Sequence, residues 1–188
     1  MDLKSKIILI SGPTASGKSK LALKIAKKIN GEIINADSMQ VYKELKILTA
    51  RPSEIDLKKI EHHLYGFRTV KKDFSSGEWL KLAKKNIKKI RDKNKIPVLV
   101  GGTGLYFKAL TDGLVKIPNI PISFRNKIRR MQISLGQKKF YSKLLKNDSL
   151  VKNRIDPTDL QRSIRAYEVI SFTKKSIFEW YKKTKPSF

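Results

Sequence analysis

The chain has 188 residues, 40% of them hydrophobic, which is enough for one α/β domain and part of a second unit. It contains no cysteine, which excludes disulfide scaffolds and thiolate metal sites and fits a reducing, cytoplasmic setting. No apolar stretch approaches the roughly 18 residues of a membrane span, so no membrane association is expected, whereas a formal net charge of +26 calls for a polyanionic partner or a solvated basic surface.

The first element is the apolar run Ile7 to Ile10, read as a buried parallel strand. It breaks into Gly12-Pro13-Thr14-Ala15-Ser16-Gly17-Lys18-Ser19, which fits G-x-x-x-x-G-K-[ST]. In such a loop the two glycines let backbone N–H groups turn inward around an anion. The lysine then adds charge near the terminal phosphates, and the Ser19 hydroxyl can ligate Mg²⁺. Leu21, Ala22, Ile25, Ala26 and Ile29 recur at helical spacing behind the loop, so a helix is expected to present its N-terminus to the same anion.

Gly31 to Asn35 reads as a second strand, leading into Ala36-Asp37-Ser38-Met39-Gln40. Ligands of open parallel sheets sit outside the carboxyl ends of strands, so Asp37 is expected to face the crevice of the phosphate loop, or else to cap a helix. Thr49 to Pro52 reads as a loop and Glu61 to Phe67 as a short strand. The adjacent His62 and His63 point to opposite faces of such a strand, which favours a structural or ligand-lining role over chelation of one metal ion.

Trp79, Leu82, Ala83, Asn86, Ile87 and Ile90 mark a helix with a lysine-rich outer face, and Ile96 to Val100 a buried strand. That strand ends in Gly101-Gly102-Thr103 and not in the acid that nucleotide-hydrolysing proteins use for Mg²⁺. The glycines allow close approach of a substrate, to which Thr103 offers its hydroxyl. A plain turn explains them equally well.

Ile117-Pro118-Asn119-Ile120-Pro121 interrupts the pattern, and basic helices follow. Two domains are therefore expected, an α/β core over 1–114 and a basic helical unit over 115–188. Six of the nine arginines lie from Arg125 onward. Guanidinium groups suit bidentate phosphate contacts, so this unit is read as facing nucleic acid. Arg162 and Arg165 lie three apart on one helical face, which suits a phosphate backbone or the edge of an extruded base.

Six motifs stand in order along the chain. They are Gly-Pro-Thr-Ala-Ser-Gly-Lys-Ser at 12–19, Asp-Ser-Met-Gln-Val-Tyr-Lys at 37–43, Thr-Ala-Arg-Pro at 49–52, His62-His63-Leu64, Gly-Gly-Thr-Gly-Leu-Tyr at 101–106 and Asp-Leu-Gln-Arg at 159–162. In this combination the chain resembles the tRNA dimethylallyltransferase family. The resemblance implies a P-loop NTPase-like α/β fold, a parallel sheet with helices on both faces and a basic helical insertion.

It also implies transfer of a dimethylallyl group from its diphosphate to the exocyclic amine of the adenosine 3′ of the anticodon, in tRNAs reading codons that begin with U. Residues 12–19 would hold the diphosphate where relatives of the fold hold ATP, with Mg²⁺ as cofactor at Ser19. Asp37, Thr103 and Lys18 would be catalytic, Asp37 as general base and Thr103 in contact with the adenosine or the leaving group. The tRNA anticodon stem-loop would lie against Asp37, Ser38, Met39, Gln40, Thr103, Arg125 and the run Gln161, Arg162, Ser163, Ile164 and Arg165.

A cytoplasmic monomer is expected. Members of the family run to about twice the size of one domain, and this chain stops shortly after the Gln-Arg segment. A P-loop kinase of a nucleoside or small metabolite and a non-catalytic RNA-binding remnant stand as the alternatives.

Overall fold

A computed structural model describes residues 6–182, 184 and 186. They divide into two compact units, one running to Gly113 and the other starting at Leu114. Residues 1–5, 183, 185, 187 and 188, at the ends of the expected domains, lie outside the described residues.

The first unit is built on four parallel strands: β1 (Ile8–Ser11), β2 (Gly31–Asn35), β3 (His62–His63) and β4 (Ile96–Gly101). Their spatial order is β1-β4-β2-β3, so β4 enters between the first two strands in sequence. The central strands β2 and β4 are buried along their whole length, and both are apolar-rich as strands covered on two faces must be. Successive residues alternate between the faces. Ile33, Val98 and Val100 meet α1 (Lys18–Lys28) through Ala22 and Ala26. Ile34 and Leu99 meet α3 (Ser76–Asp92) through Trp79, Ala83 and Ile87, and α4 (Gly104–Thr111) through Tyr106 and Leu110. The helices therefore lie on both faces, as the α/β expectation required.

This arrangement creates a crevice. The neighbours β1 and β4 send their following helices, α1 and α4, to opposite faces of the sheet. At such a switch point the loops part at the carboxyl ends of the strands and leave room for a ligand.

Three sequence expectations change. β1 is not buried: β4 is its sole strand neighbour among the described residues, and Leu9 is 41% exposed because an edge strand is covered on one side only. The strand expected over 61–67 shrinks to two residues, since Leu64 and Gly66 take positive φ angles that end extended pairing. The helices α2 (Glu54–Lys59), capped by Ser53, and α4 went unread because both are short and lack a clear apolar period.

At the amino end of the sheet the fully buried Glu32 carboxylate accepts hydrogen bonds from Lys95 (2.8 Å) and Lys93 (3.2 Å) and meets His63 Nε2 at 2.8 Å. Lys93 also donates to Glu61 at 2.8 Å. His62 turns elsewhere, with Nδ1 2.7 Å from the Ile60 carbonyl. Glu32, Glu61 and His63 have their ligand atoms close enough together for a cation, but the two ammonium groups already supply the positive charge. Burial alone pushes the Glu32 carboxyl up, but the bonds from Lys95, His63 and Lys93 outweigh it and hold it at about 2.

The second unit comprises α5 (Ile122–Asn147), a 3₁₀ turn (Ser149–Val151), α6 (Leu160–Thr173) and α7 (Ile177–Tyr181). α5 is broken at Gly136, whose φ of 71° and ψ of 161° suit glycine alone. Phe140, Leu144, Val151, Ala166 and Val169 form its core, and the Tyr141 hydroxyl donates to the Ile155 carbonyl at 2.9 Å. No helix among the described residues is long and apolar enough to cross a membrane.

The Glu32 hub predicts the acid limb of stability. A carboxyl depressed from 4.5 to about 2 stabilises the fold above pH 4.5, and that contribution is lost as the pH falls toward 2. Glu32→Gln should lower Tm by roughly 5–10 °C at pH 7 and flatten the decline between pH 4.5 and 2, as read by circular dichroism melts.

Candidate active site

The crevice is walled by the exits of β1, β2 and β4. After β1 the chain turns through Ala15 (φ 65°) and Gly17 (φ 78°), and Gly17 occupies the N-cap position of α1. The Ser16 hydroxyl and the Lys18 ammonium both donate to the Pro13 carbonyl, at 2.8 and 2.6 Å, which folds the loop back on itself. The first helical bond runs from the Leu21 amide to the Gly17 carbonyl, so the amides ahead of it at the start of α1 lack a helical acceptor. No acidic residue occupies that first turn. The loop is thus a cationic, donor-rich concavity suited to a phosphate or diphosphate, with Gly12 through Ser19 placed around it.

Across from it, β2 ends in Asn35 and the chain turns at Asp37. Asp37 Oδ1 accepts from the Met39 amide at 2.9 Å, a local turn that no helix continues. The helix-capping alternative for Asp37 therefore does not apply. Its other oxygen, Oδ2, is free of hydrogen bonds among the described residues, and it faces β4: a Cβ at Gly102 would stand 3.6 Å from Oδ2 and 3.4 Å from the Gly12 carbonyl. Asp37 and the phosphate loop therefore flank one point, and Gly102 keeps that point open.

Thr103 lies on the same wall with its hydroxyl engaged. It accepts from the Ser38 amide (2.9 Å) and donates to Ser38 Oγ (3.2 Å). In this structure Thr103 pins the Asp37 turn to β4, and the Ser38 hydroxyl is left to donate toward a ligand. Met39 is 52% exposed, and Gln40 is half-buried and donates to the Thr49 carbonyl at 2.7 Å.

Two tyrosines feel the charge of Asp37 from within the core, Tyr65 on the α1 face of the sheet and Tyr106 on the α3 face. Burial, reinforced by the Asp37 charge, pushes the Tyr65 hydroxyl above its ordinary range, and burial with the nearby Tyr42, Asp37 and Glu78 pushes Tyr106 up to about 12. Both remain neutral phenols beside the carboxylate. Tyr106 stacks on Trp79, with ring centroids 4.3 Å apart and planes 10° from parallel. Nothing in the sequence pairs these two rings, which sit on different helices.

Ser19, at the first turn of α1, offers a hydroxyl oxygen of the kind a hard divalent cation takes. The donor chemistry fits Mg²⁺.

In the second unit the expected RNA-contacting residues separate. Asp159 caps α6 by accepting from the Arg162 amide (2.9 Å) and also pairs with Arg162 Nη1 at 3.2 Å. The Arg162 side chain is 76% exposed, and Gln161 is exposed beside it. Arg165 is partly exposed and pairs with Glu168 at 3.3 Å. Ser163 and Ile164, by contrast, are buried in the core, where Ser163 Oγ accepts from Gln137 Nε2 at 3.3 Å. A five-residue run wraps more than one helical turn, so it cannot all face outward. Arg125, at the start of α5, is half-buried and its Nε has no partner among the described residues.

A family model described as IPP transferase matches residues 40–188. A tRNA dimethylallyltransferase of Pelagibacter ubique is 64% identical over all 188 residues, which is 60% of that protein's length. One of Rickettsia conorii is 48% identical over 94% of the chain and 49% of its own length. Among solved structures, a eukaryotic dimethylallyltransferase described as acting on tRNA superposes with a TM-score of 0.76 at 31% identity, over 95% of this chain and 44% of its own. The full-length tRNA isopentenylpyrophosphate transferase of Bacillus halodurans superposes with a TM-score of 0.58 at 36% identity, over 92% and 57%. The chain spans about half to three-fifths of the length of these curated relatives.

The two glycines of β4's end separate in their expected tolerance. At Gly101 a Cβ would come within 2.1 Å of the Ala36 carbonyl, and main chain cannot give way, so Gly101→Ala should destabilise by about 3 kcal/mol or more. Gly102→Ala should keep the parental denaturation midpoint while weakening ligand binding in the crevice. Urea unfolding and calorimetry with inorganic diphosphate check both.

Proposed function

The chain belongs to the IPP transferase family, and from that premise we propose that it transfers a dimethylallyl group from dimethylallyl diphosphate to the exocyclic amine of the adenosine 3′ of the anticodon in tRNA. The observation that carries the reading is the placement of a phosphate loop and an unpartnered Asp37 oxygen on either side of one glycine-lined point.

Residues 12–19 bind the diphosphate, with loop and helix-start amides and Lys18 around its oxygens. Asp37 Oδ2 accepts the proton of the amine as its nitrogen forms a bond to C1 of the dimethylallyl group. The C1–O bond breaks, and the electron pair leaves with the diphosphate. An adenine amine is a weak nucleophile, so a positioned carboxylate is worth about 10²- to 10⁴-fold in rate. Negative charge gathers on the departing oxygens, where the loop's donors meet it. Ser19 would hold Mg²⁺, which would supply further charge neutralisation to the leaving group. Ser38 orients the acceptor base through the hydroxyl that Thr103 holds in place.

The adenine must leave its stack to reach the crevice, at a cost of a few kcal/mol that RNA contacts offset. We assign those contacts to Met39 and Gln40 at the mouth, and to Arg125, Gln161, Arg162 and Arg165 on the second unit. The side chains of Ser163 and Ile164 support α6 from within.

Two variants separate chemistry from grip. Asp37→Asn should reduce transfer at least 100-fold with tRNA affinity changed less than about threefold. Arg162→Ala should weaken tRNA binding and lower the slope of log K against log salt by about one. Filter binding at several salt concentrations and single-turnover label transfer read the two. Full activity of Asp37→Asn would refute the assignment of the base.

A further inference from the structure

We propose that Asn35 is a positioning residue for transfer, a buried amide clamp that fixes the main chain of Asp37 so that Oδ2 points to the acceptor; this rests on the reading of Asp37 as the proton acceptor. The side chain of Asn35 is fully buried at the last position of β2. Its Oδ1 accepts from the Asp37 amide at 2.9 Å, and its Nδ2 donates to the Asp37 carbonyl at 2.9 Å and to the Leu64 carbonyl at 3.0 Å. One side-chain amide therefore grips both main-chain groups of the same residue and ties them to the turn after β3.

The clamp is itself held. The Asn35 carbonyl accepts from Trp79 Nε1 at 2.9 Å, and Trp79 is fully buried against Tyr106. With N–H and C=O both fixed, the Asp37 backbone has one arrangement. The remaining side-chain rotation is taken up by the Met39 amide on Oδ1. What is left over is Oδ2, aimed at the open point beside Gly102.

None of this is needed to hold β2 in the sheet. β2 is paired through main chain with β4 along Gly31–Asn35 and with β3 at Ile33 and Ile34. The side-chain bonds of Asn35 all point past the strand's end, toward the turn that carries Asp37. The chemistry also says which substitutes work. A serine hydroxyl at the same place can accept from the amide two residues on, as in an ST-turn, whereas alanine can accept nothing.

The test uses this chain joined to the part of the Pelagibacter ubique relative that lies outside the match, with Asn35→Ala, Asn35→Ser and Asp37→Asn compared. Misplacing a reacting group by about 1 Å costs on the order of 100-fold. Asn35→Ala should therefore lower kcat by about 10- to 100-fold, with KM for RNA and for dimethylallyl diphosphate changed less than about threefold. The Trp79 indole N–H resonance should persist, and the Asp37 amide should exchange fast. Asn35→Ser should restore kcat to within about fivefold and restore the slow exchange of that amide.

Parental kcat in Asn35→Ala, or equal losses in the alanine and serine variants, would overturn the proposal. So would a loss that appears in KM or that accompanies loss of the indole signal, since a structural defect predicts those. If alanine prevents folding, Asn35→Gln keeps the amide but displaces it by one methylene, and parental kcat there overturns the proposal equally. Undiminished turnover in Asp37→Asn would instead mark failure of the base assignment.

Discussion

At the carboxyl end of the sheet the main chain of Gly101 lies so close to Ala36 that a Cβ would fall 2.1 Å from its carbonyl. This contact between β4's end and the turn after β2 brings Asp37 beside the phosphate loop. β4 can end against the turn after β2 only because its last residue, Gly101, carries no side chain. The divergence of α1 and α4 to opposite faces then opens the crevice that Gly102 leaves unfilled. Glycine at 101 is a packing requirement of the sheet, and glycine at 102 is a clearance requirement of the site.

Polarity is distributed to match. The amino end of the sheet holds the neutralised Glu32 hub, where two lysines and a histidine surround one buried carboxylate. The carboxyl end holds a loop with no acid in the first turn of α1, facing a carboxylate that has one oxygen without a partner among the described residues. The former is saturated and stabilises the fold; the latter is left incomplete, and that incompleteness is what a substrate can fill. The second unit follows a similar rule, with Phe140 and Leu144 inside and Arg162 outside.

Much of the first unit was legible from residues alone. An apolar run revealed β4, the short segment before Asp37 revealed β2, and helical periods revealed α1 and α3, because each depends on local chemistry; the spacing of Gly12, Gly17, Lys18 and Ser19 is equally local and marked the loop that turns between β1 and α1. The exposure of β1 was not legible, since an apolar run looks the same at an edge as at the centre. Nor were the hydrogen bonds of Thr103 and Asn35. Thr103 reads as a free hydroxyl until the Ser38 amide is seen to occupy it, and Asn35 reads as a strand end until its amide is found around Asp37. The run Gln161 to Arg165 reads as one basic surface, yet helix geometry turns Ser163 and Ile164 inward.

The most direct measurement follows labelled dimethylallyl diphosphate and, in parallel, ATP labelled in its γ-phosphate, with an unmodified anticodon stem-loop and Mg²⁺. It is run with this chain alone and with the part of a relative that lies outside the match supplied in trans, and mass spectrometry of the RNA locates the product. The account predicts a dimethylallyl group on the exocyclic nitrogen of the adenosine 3′ of the anticodon in at least one arm, with no phosphoryl transfer. Absence of dimethylallyl-RNA in both arms, or appearance of labelled phosphate on an acceptor, would contradict it.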